Sequence, residues 1–161
     1  MTKETSLQIF SEQYPQIMKL QRELAKTDWY VRDGWTMFVG YYHAGIFAQV
    51  YKLNWHNYTL DGIHLEFGLD EAALESKQLR IDLHVGHRNL FDRTEFNART
   101  MPKMETLVSS WDDVKFSRTN LSDRLHIHVS FTKTGFAKQI ATAFTRLSAL
   151  GPIIDGGIKG L

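Results

Sequence analysis

A chain of 161 residues, 43% of them hydrophobic and 12% aromatic, can bury about two-thirds of its unfolded surface around one core, which argues against disorder. Without cysteine there is no disulfide framework, thiolate metal site or cysteine nucleophile. With 19 basic against 18 acidic side chains and a pI of about 8.0, the chain also lacks the strongly basic balance of a dedicated nucleic-acid binder.

The opening MTKETSLQIF is polar, and no apolar run approaches the roughly 20 residues of a membrane span, so a soluble, cytoplasmic protein with no membrane partner is expected. Over residues 5–27, Phe10, Tyr14, Ile17, Leu20 and Leu24 recur at three- and four-residue spacing and predict an amphipathic helix, with Pro15 kinking it or opening its second part. The aromatic and β-branched stretch from Trp29 to Trp55 predicts two strands near 30–42 and 45–54, joined as a hairpin. Three segments then alternate apolar and polar residues with period two. Ile63, Leu65, Phe67 and Leu69 interleave with His64, Glu66 and Gly68; Leu79, Ile81, Leu83 and Val85 with Arg80, Asp82, His84 and Gly86; Leu125, Ile127, Val129 and Phe131 with His126, His128 and Ser130. Each reads as a half-buried strand.

A short helical turn over 70–76 connects the first two of these strands. Residues 89–109 predict a helix with Asn89 as its N-cap and Pro102 bending or restarting it. A strand over 114–118 is expected to pair with 124–131 across a loop holding Asn120, Ser122 and Asp123. Thr134 can cap a last helix carrying Phe136, Ile140, Phe144, Leu147 and Leu150 on one face, and Gly151-Pro152 can stop it. The fold class that follows is α+β: a single largely antiparallel sheet of about six strands with helices on one face, in the order α-ββββ-α-ββ-α. Residues 1–150 form the single domain and 151–161 a glycine-rich C-terminal tail.

If the alternating strands are neighbours, their second face collects His64, Glu66, Arg80, Asp82, His84, His126, His128 and Ser130. Side chains two apart on a strand point the same way, about 7 Å from one another. His84, His126 and His128, with Asp82 or Glu66, are therefore candidate ligands of zinc, manganese or iron, while the carboxylates alone suit magnesium. A polar solvated face needs no metal, and no motif requires a cofactor. His64, Arg80 and Ser130 on that face, and Trp35, Tyr42 and Trp55 among the aromatics, are candidate contacts to a ligand or partner.

Asp82-Leu83-His84, with Glu66 on the preceding strand, resembles the acidic residue and Glu/Asp-x-Lys motif of the restriction-endonuclease-like nucleases, with histidine in place of lysine. That resemblance implies Mg²⁺-activated water attacking a phosphodiester, with Glu66 and Asp82 as ligands. His128-Val129-Ser130 fits one motif of the two-histidine phosphoesterases, but no other histidine has Ser or Thr two residues later, which excludes that family. Phosphate-binding glycine loops, His-Glu-x-x-His and Gly-x-Ser-x-Gly are absent. Aromatics on both faces of the 30–55 hairpin suggest a protein interface, most simply a twofold homodimer. The expected function is a non-catalytic ligand- or protein-binding module using the aromatic, histidine-bearing sheet face; the alternative is a metal-dependent hydrolase, phosphodiester-cleaving if the nuclease resemblance holds, acting there.

Overall fold

In the computed structural model, residues 3–42, 45–86, 91–119 and 124–161 are described. The chain runs α1 (Lys3–Leu24), α2 (Asp28–Arg32), β1 (Trp35–Tyr42), β2 (Gly45–Lys52), β3 (Ile63–Leu69), α3 (Glu71–Ser76), β4 (Gln78–Val85), α4 (Arg93–Val108), β5 (Val114–Phe116), β6 (Leu125–Ser130), α5 (Phe136–Leu147) and, after a 3₁₀ turn, α6 (Gly151–Ile158). The six strands form one sheet in the order β1-β2-β3-β4-β6-β5, and every neighbouring pair is antiparallel. The fold is α+β, as the alternation predicts. No helix among the described residues is long and apolar enough to cross a membrane.

The period-two pattern decides what each face does. Ala48 and Val50 on β2, Leu65 and Phe67 on β3, Leu79 and Ile81 on β4 and Ile127 on β6 are buried on one side of the sheet. The helices cover that side: Phe67 meets Phe144 of α5 with ring centroids 6.0 Å apart, and Ile17, Leu20 and Leu24 of α1 join the same core. Pro15 lies inside α1, which continues through it as one helix.

Four expectations are corrected. Residues 28–32 are helical, so β1 starts at Trp35 rather than near 30; Asp28 sits in the first turn of α2, where an acidic group suits the exposed N–H groups. α4 is capped by Asp92, whose side chain accepts from Glu95 N–H at 2.9 Å; Asn89, and the loop with Asn120, Ser122 and Asp123, lie outside the described residues. α5 has Gly135 at its N-cap instead of Thr134, and the Thr132 hydroxyl accepts from Gly135 N–H at 3.0 Å.

The fourth concerns the tail. Gly151-Pro152 opens a helix instead of ending the chain's order, because proline is tolerated in a first turn, where its missing N–H has no helical partner. Ile154 is buried, and Asp155 of α6 anchors the segment by accepting from Lys52 Nζ and Trp55 Nε1, each at 2.7 Å. Leu150, Ile154 and Ile158 do stand at four-residue spacing, but Pro152 and three glycines in 151–157 have low helix propensity and hide the pattern.

Two glycines are dictated by close approach. Gly45, at φ 134°, opens β2 where a Cβ would lie 2.6 Å from the Leu69 carbonyl oxygen. Gly86 follows β4 where a Cβ would lie 2.0 Å from the Asp61 carbonyl oxygen, so the backbone after β4 touches the loop before β3. Gly86→Ala is expected to lower stability by about 2 kcal/mol or more, because backbone has to move on both sides; urea unfolding measures it, and an unchanged midpoint would contradict the contact.

Candidate metal centre

The second face of the sheet carries one row that is polar from β2 to β5 and ends on Phe38 of β1. The registers align Phe38, Gln49, Glu66, Asp82, His126 and Lys115 in sequence from β1 to β5, and His64 faces His84 one step along. In an antiparallel sheet, directly opposed residues share a face. Side chains more than 30 residues apart in sequence are thereby gathered.

The loop between β2 and β3 closes over this row and removes part of it from water. Asn57, fully buried, accepts from Gly62 N–H through Oδ1 at 2.9 Å, which fixes its amide orientation because a backbone N–H can only donate. The same oxygen accepts from His64 Nδ1 at 2.9 Å, while Asn57 Nδ2 donates to Gln49 Oε1 at 2.9 Å. Gln49 Nε2 then donates to the Leu60 carbonyl at 3.1 Å and to His64 Nε2 at 2.9 Å. Backbone groups of known polarity terminate the chain at both ends, so every role between them is determined. His64, only 1% exposed, thus carries its hydrogen on Nδ1 and accepts from Gln49 at Nε2.

Glu66 Oε2 lies 3.1 Å from that nitrogen. A carboxylate oxygen and an imidazole nitrogen this close can share one cation. His84 stacks on His64 with ring centroids 4.6 Å apart, and places Nδ1 3.9 Å from Glu66 Oε1 and Nε2 3.7 Å from Asp61 Oδ1. One ligand atom from each of His64, Glu66 and His84 falls within 4.8 Å of the others, a spacing at which a single divalent ion can bind all three after small side-chain adjustments. The group lines a cleft of about 460 Å³ together with Phe38, Phe47, Leu60 and Asp61, while the Tyr41 ring turns to the helix side against Phe10 of α1. That volume falls within the range of small-molecule sites.

The remaining predicted residues are distributed differently. Glu66 and His84 join the cluster, and His64, expected only as a ligand contact, is its most buried member. Asp82 lies opposite His126 and is bound by Arg80 Nε at 2.7 Å. His126 and His128 have ring centroids 5.3 Å apart but belong to no three-ligand group among the described residues. Ser130 is exposed at the far end of β6, opposite Gln78. Trp35 and Trp55, expected as contacts to a ligand or partner, lie in the helix-side core, 4.8 Å apart between centroids, where Asp155 of α6 accepts from the Trp55 N–H. Tyr42 ends β1 opposite Gly45, with its side chain outside the described residues.

Sequence reasoning missed Gln49, Asn57 and Asp61. Gln49 had a signal, a lone polar residue in the otherwise apolar Gly45–Tyr51 run; the other two sit in an aperiodic loop. It also missed Arg124, which is 1% exposed and whose Nε, Nη1 and Nη2 have no hydrogen-bond partner among the described residues. Burial, and then repulsion from Arg93, lowers the Arg124 pKa to about 10, which leaves the side chain charged at neutral pH.

No protein-family model, curated protein or solved structure matches this chain.

Burial pushes the Asp82 carboxyl above its ordinary value of 3.8, against the opposing pull of the Arg80 hydrogen bond and charge and of His126, with Glu66 adding to the rise. For an acid whose folded pKa is raised, the folded state holds the proton more tightly. The associated stability is full below about 3.8 and is lost as pH climbs through the raised value. Asp82→Asn is therefore expected to raise Tm at pH 7 and to lose that gain toward pH 3, as read by thermal unfolding across the range. A variant less stable than wild type at pH 7 would show that the Arg80 pair outweighs burial.

Proposed function

We propose that the protein is a small-molecule-binding module that holds a divalent metal ion on His64, Glu66 and His84 in the cleft lined by Phe38 and Phe47. The observation that carries this reading is the convergence of one donor atom from each of the three residues within 4.8 Å inside that cleft. Two imidazoles and a carboxylate suit zinc, manganese or iron, and the aromatic walls supply apolar area for an organic ligand. A metal on His64 Nε2 displaces the Gln49 N–H, and Gln49 lies directly across from Glu66, whose carboxylate offers another acceptor. The Nδ1 bond from His64 to Asn57 is the outer-shell contact that orients a metal-binding imidazole.

Added Zn²⁺, Mn²⁺ or Fe²⁺ is expected to raise Tm in the tag-free protein, by an amount that grows with metal concentration. Glu66→Gln and His84→Asn should abolish the shift, whereas His126→Gln with His128→Gln should keep it. Affinity should fall as pH drops through the imidazole range near about 6.5, since a protonated imidazole cannot ligate. Absence of any shift with all three metals would end the metal reading and leave a metal-free ligand cleft.

A second reading, a metal-dependent hydrolase on the same face, is favoured by one observation. Three protein ligands leave coordination positions open toward the cleft, and the Asp61 carboxylate stands 3.7 Å from His84 Nε2 at the rim, within reach of a molecule bound there. Metal-dependent cleavage of bis(p-nitrophenyl) phosphate, lost in Glu66→Gln and reduced in Asp61→Asn, supports it; metal binding without turnover of that ester counts against the phosphodiesterase form.

A further inference from the structure

Arg124 precedes β6 and continues its geometry, for Ser117 N–H donates to the Arg124 carbonyl at 2.8 Å and so carries the β5–β6 ladder one residue beyond Phe116↔Leu125. Alternation along the strand sets Arg124 on the face of His126 and His128, opposite in sense to the buried Leu125 and Ile127. On β4 the same face carries Arg80, Asp82 and His84. The Asp82↔His126 pairing, followed for two more residues, brings Arg124 beside His84, at the end of the sheet where the cleft lies.

A guanidinium offers five N–H donors and no acceptor. Here none of its three nitrogens meets an acceptor among the described residues, although the side chain is almost wholly buried. Its electrostatic neighbour is a second cation: Arg93, half-buried at the start of α4, where one of its nitrogens donates to the Gly86 carbonyl at 3.3 Å. Buried charges in folded proteins are paired or serve a ligand, and a like-charged neighbour makes this one more costly. Two guanidiniums at the end of the sheet, one with every donor unused, have the chemistry of an oxyanion site, since planar N–H forks match the oxygens of carboxylate and phosphate.

We infer that Arg124, assisted by Arg93, binds the carboxylate or phosphate group of an anionic small molecule. This goes beyond the metal reading and stands without it, because no metal ligand takes part. If the cleft and Arg124 serve one compound, that compound is an organic acid or phosphate ester with its anionic end at Arg124 and its apolar part against Phe38 and Phe47.

The test uses the full chain, freed of metal by EDTA dialysis, so that failure here and failure of the metal centre are separate results. Tm is followed against sodium phosphate and, in a second arm, sodium acetate, each at constant ionic strength balanced with NaCl. One of the two anions should raise Tm in a saturable way, phosphate identifying a phosphate ligand and acetate a carboxylate. Arg124→Met, of similar length and without charge, should weaken that anion by at least about tenfold, the loss expected for charge-assisted hydrogen bonds. Arg124→Lys, which keeps the charge but loses the fork, should give an intermediate affinity. With no anion present, Arg124→Met should melt at or above the wild-type temperature, because it removes an unpaired buried charge. The inference is overturned if neither anion acts beyond NaCl, if Arg124→Met keeps the full response, or if Arg124→Met unfolds without anion, which would show that Arg124 is held by a structural partner.

Discussion

Asn57 joins the loop after β2 to two strands of the sheet through two hydrogen bonds and closes the loop on itself through a third, and the candidate site depends on that junction. The residue is fully buried, accepts from Gly62 N–H and His64 Nδ1, and donates to Gln49. Each of these groups is removed from water when the loop closes, and leaving one buried polar group unpaired costs about 1–3 kcal/mol. The network therefore works as a unit: it seats the loop, selects the His64 tautomer and sets Nε2 beside Glu66. A His64 facing solvent would have neither its orientation nor its chemistry imposed.

The sheet makes the junction possible by separating two environments a few ångströms apart. Its helix side is filled by α1, α5 and α6, with Ile17, Leu20, Phe144 and Ile154 wholly buried. The opposite side is closed in part by the chain that connects strands, and connecting chain brings backbone carbonyls and N–H groups as well as side chains. Buried polar residues are tolerable there because acceptors and donors such as Leu60 C=O and Gly62 N–H come with the cover. The close approach of Gly86 to the Asp61 carbonyl belongs to the same arrangement, since a side chain at that point would hold the loop away from the strand end.

Charge is organised along the polar row. Glu66 lies between His64 on its own strand and Asp82 across on β4, and Asp82 in turn lies between Arg80 and His126. Two acids, Glu66 and Asp82, therefore stand side by side in the middle of the sheet, flanked by His64, Arg80 and His126, and the register extends to set Arg124 beside His84 at the end where the cleft lies. A ligand carrying both a metal-binding group and an anionic group would meet both chemistries side by side at the cleft end of this face.

The amino-acid sequence by itself determined the strands and their two faces. Alternation in 63–69, 79–85 and 125–131 is a local property, and it correctly set the isoleucines and leucines inward and His64, Glu66, Asp82, His84 and His126 together on the other side. It could not choose among those polar residues, because only the register says which cross-strand pairs are opposed, and His64↔His84 with Gln49↔Glu66 places the three-ligand cluster on β3 and β4 instead of at His126 and His128. Nor could periodicity reveal Asn57, Asp61 or the burial of Arg124, for loop residues follow no repeat and a strand-end arginine reads as solvent-facing until the chain around it has folded. The tail shows the same limit from the apolar side: Gly151–Ile158 has weak helical character of its own and becomes ordered through Asp155, Lys52 and Trp55, contacts that span about a hundred residues and exist only in the tertiary structure.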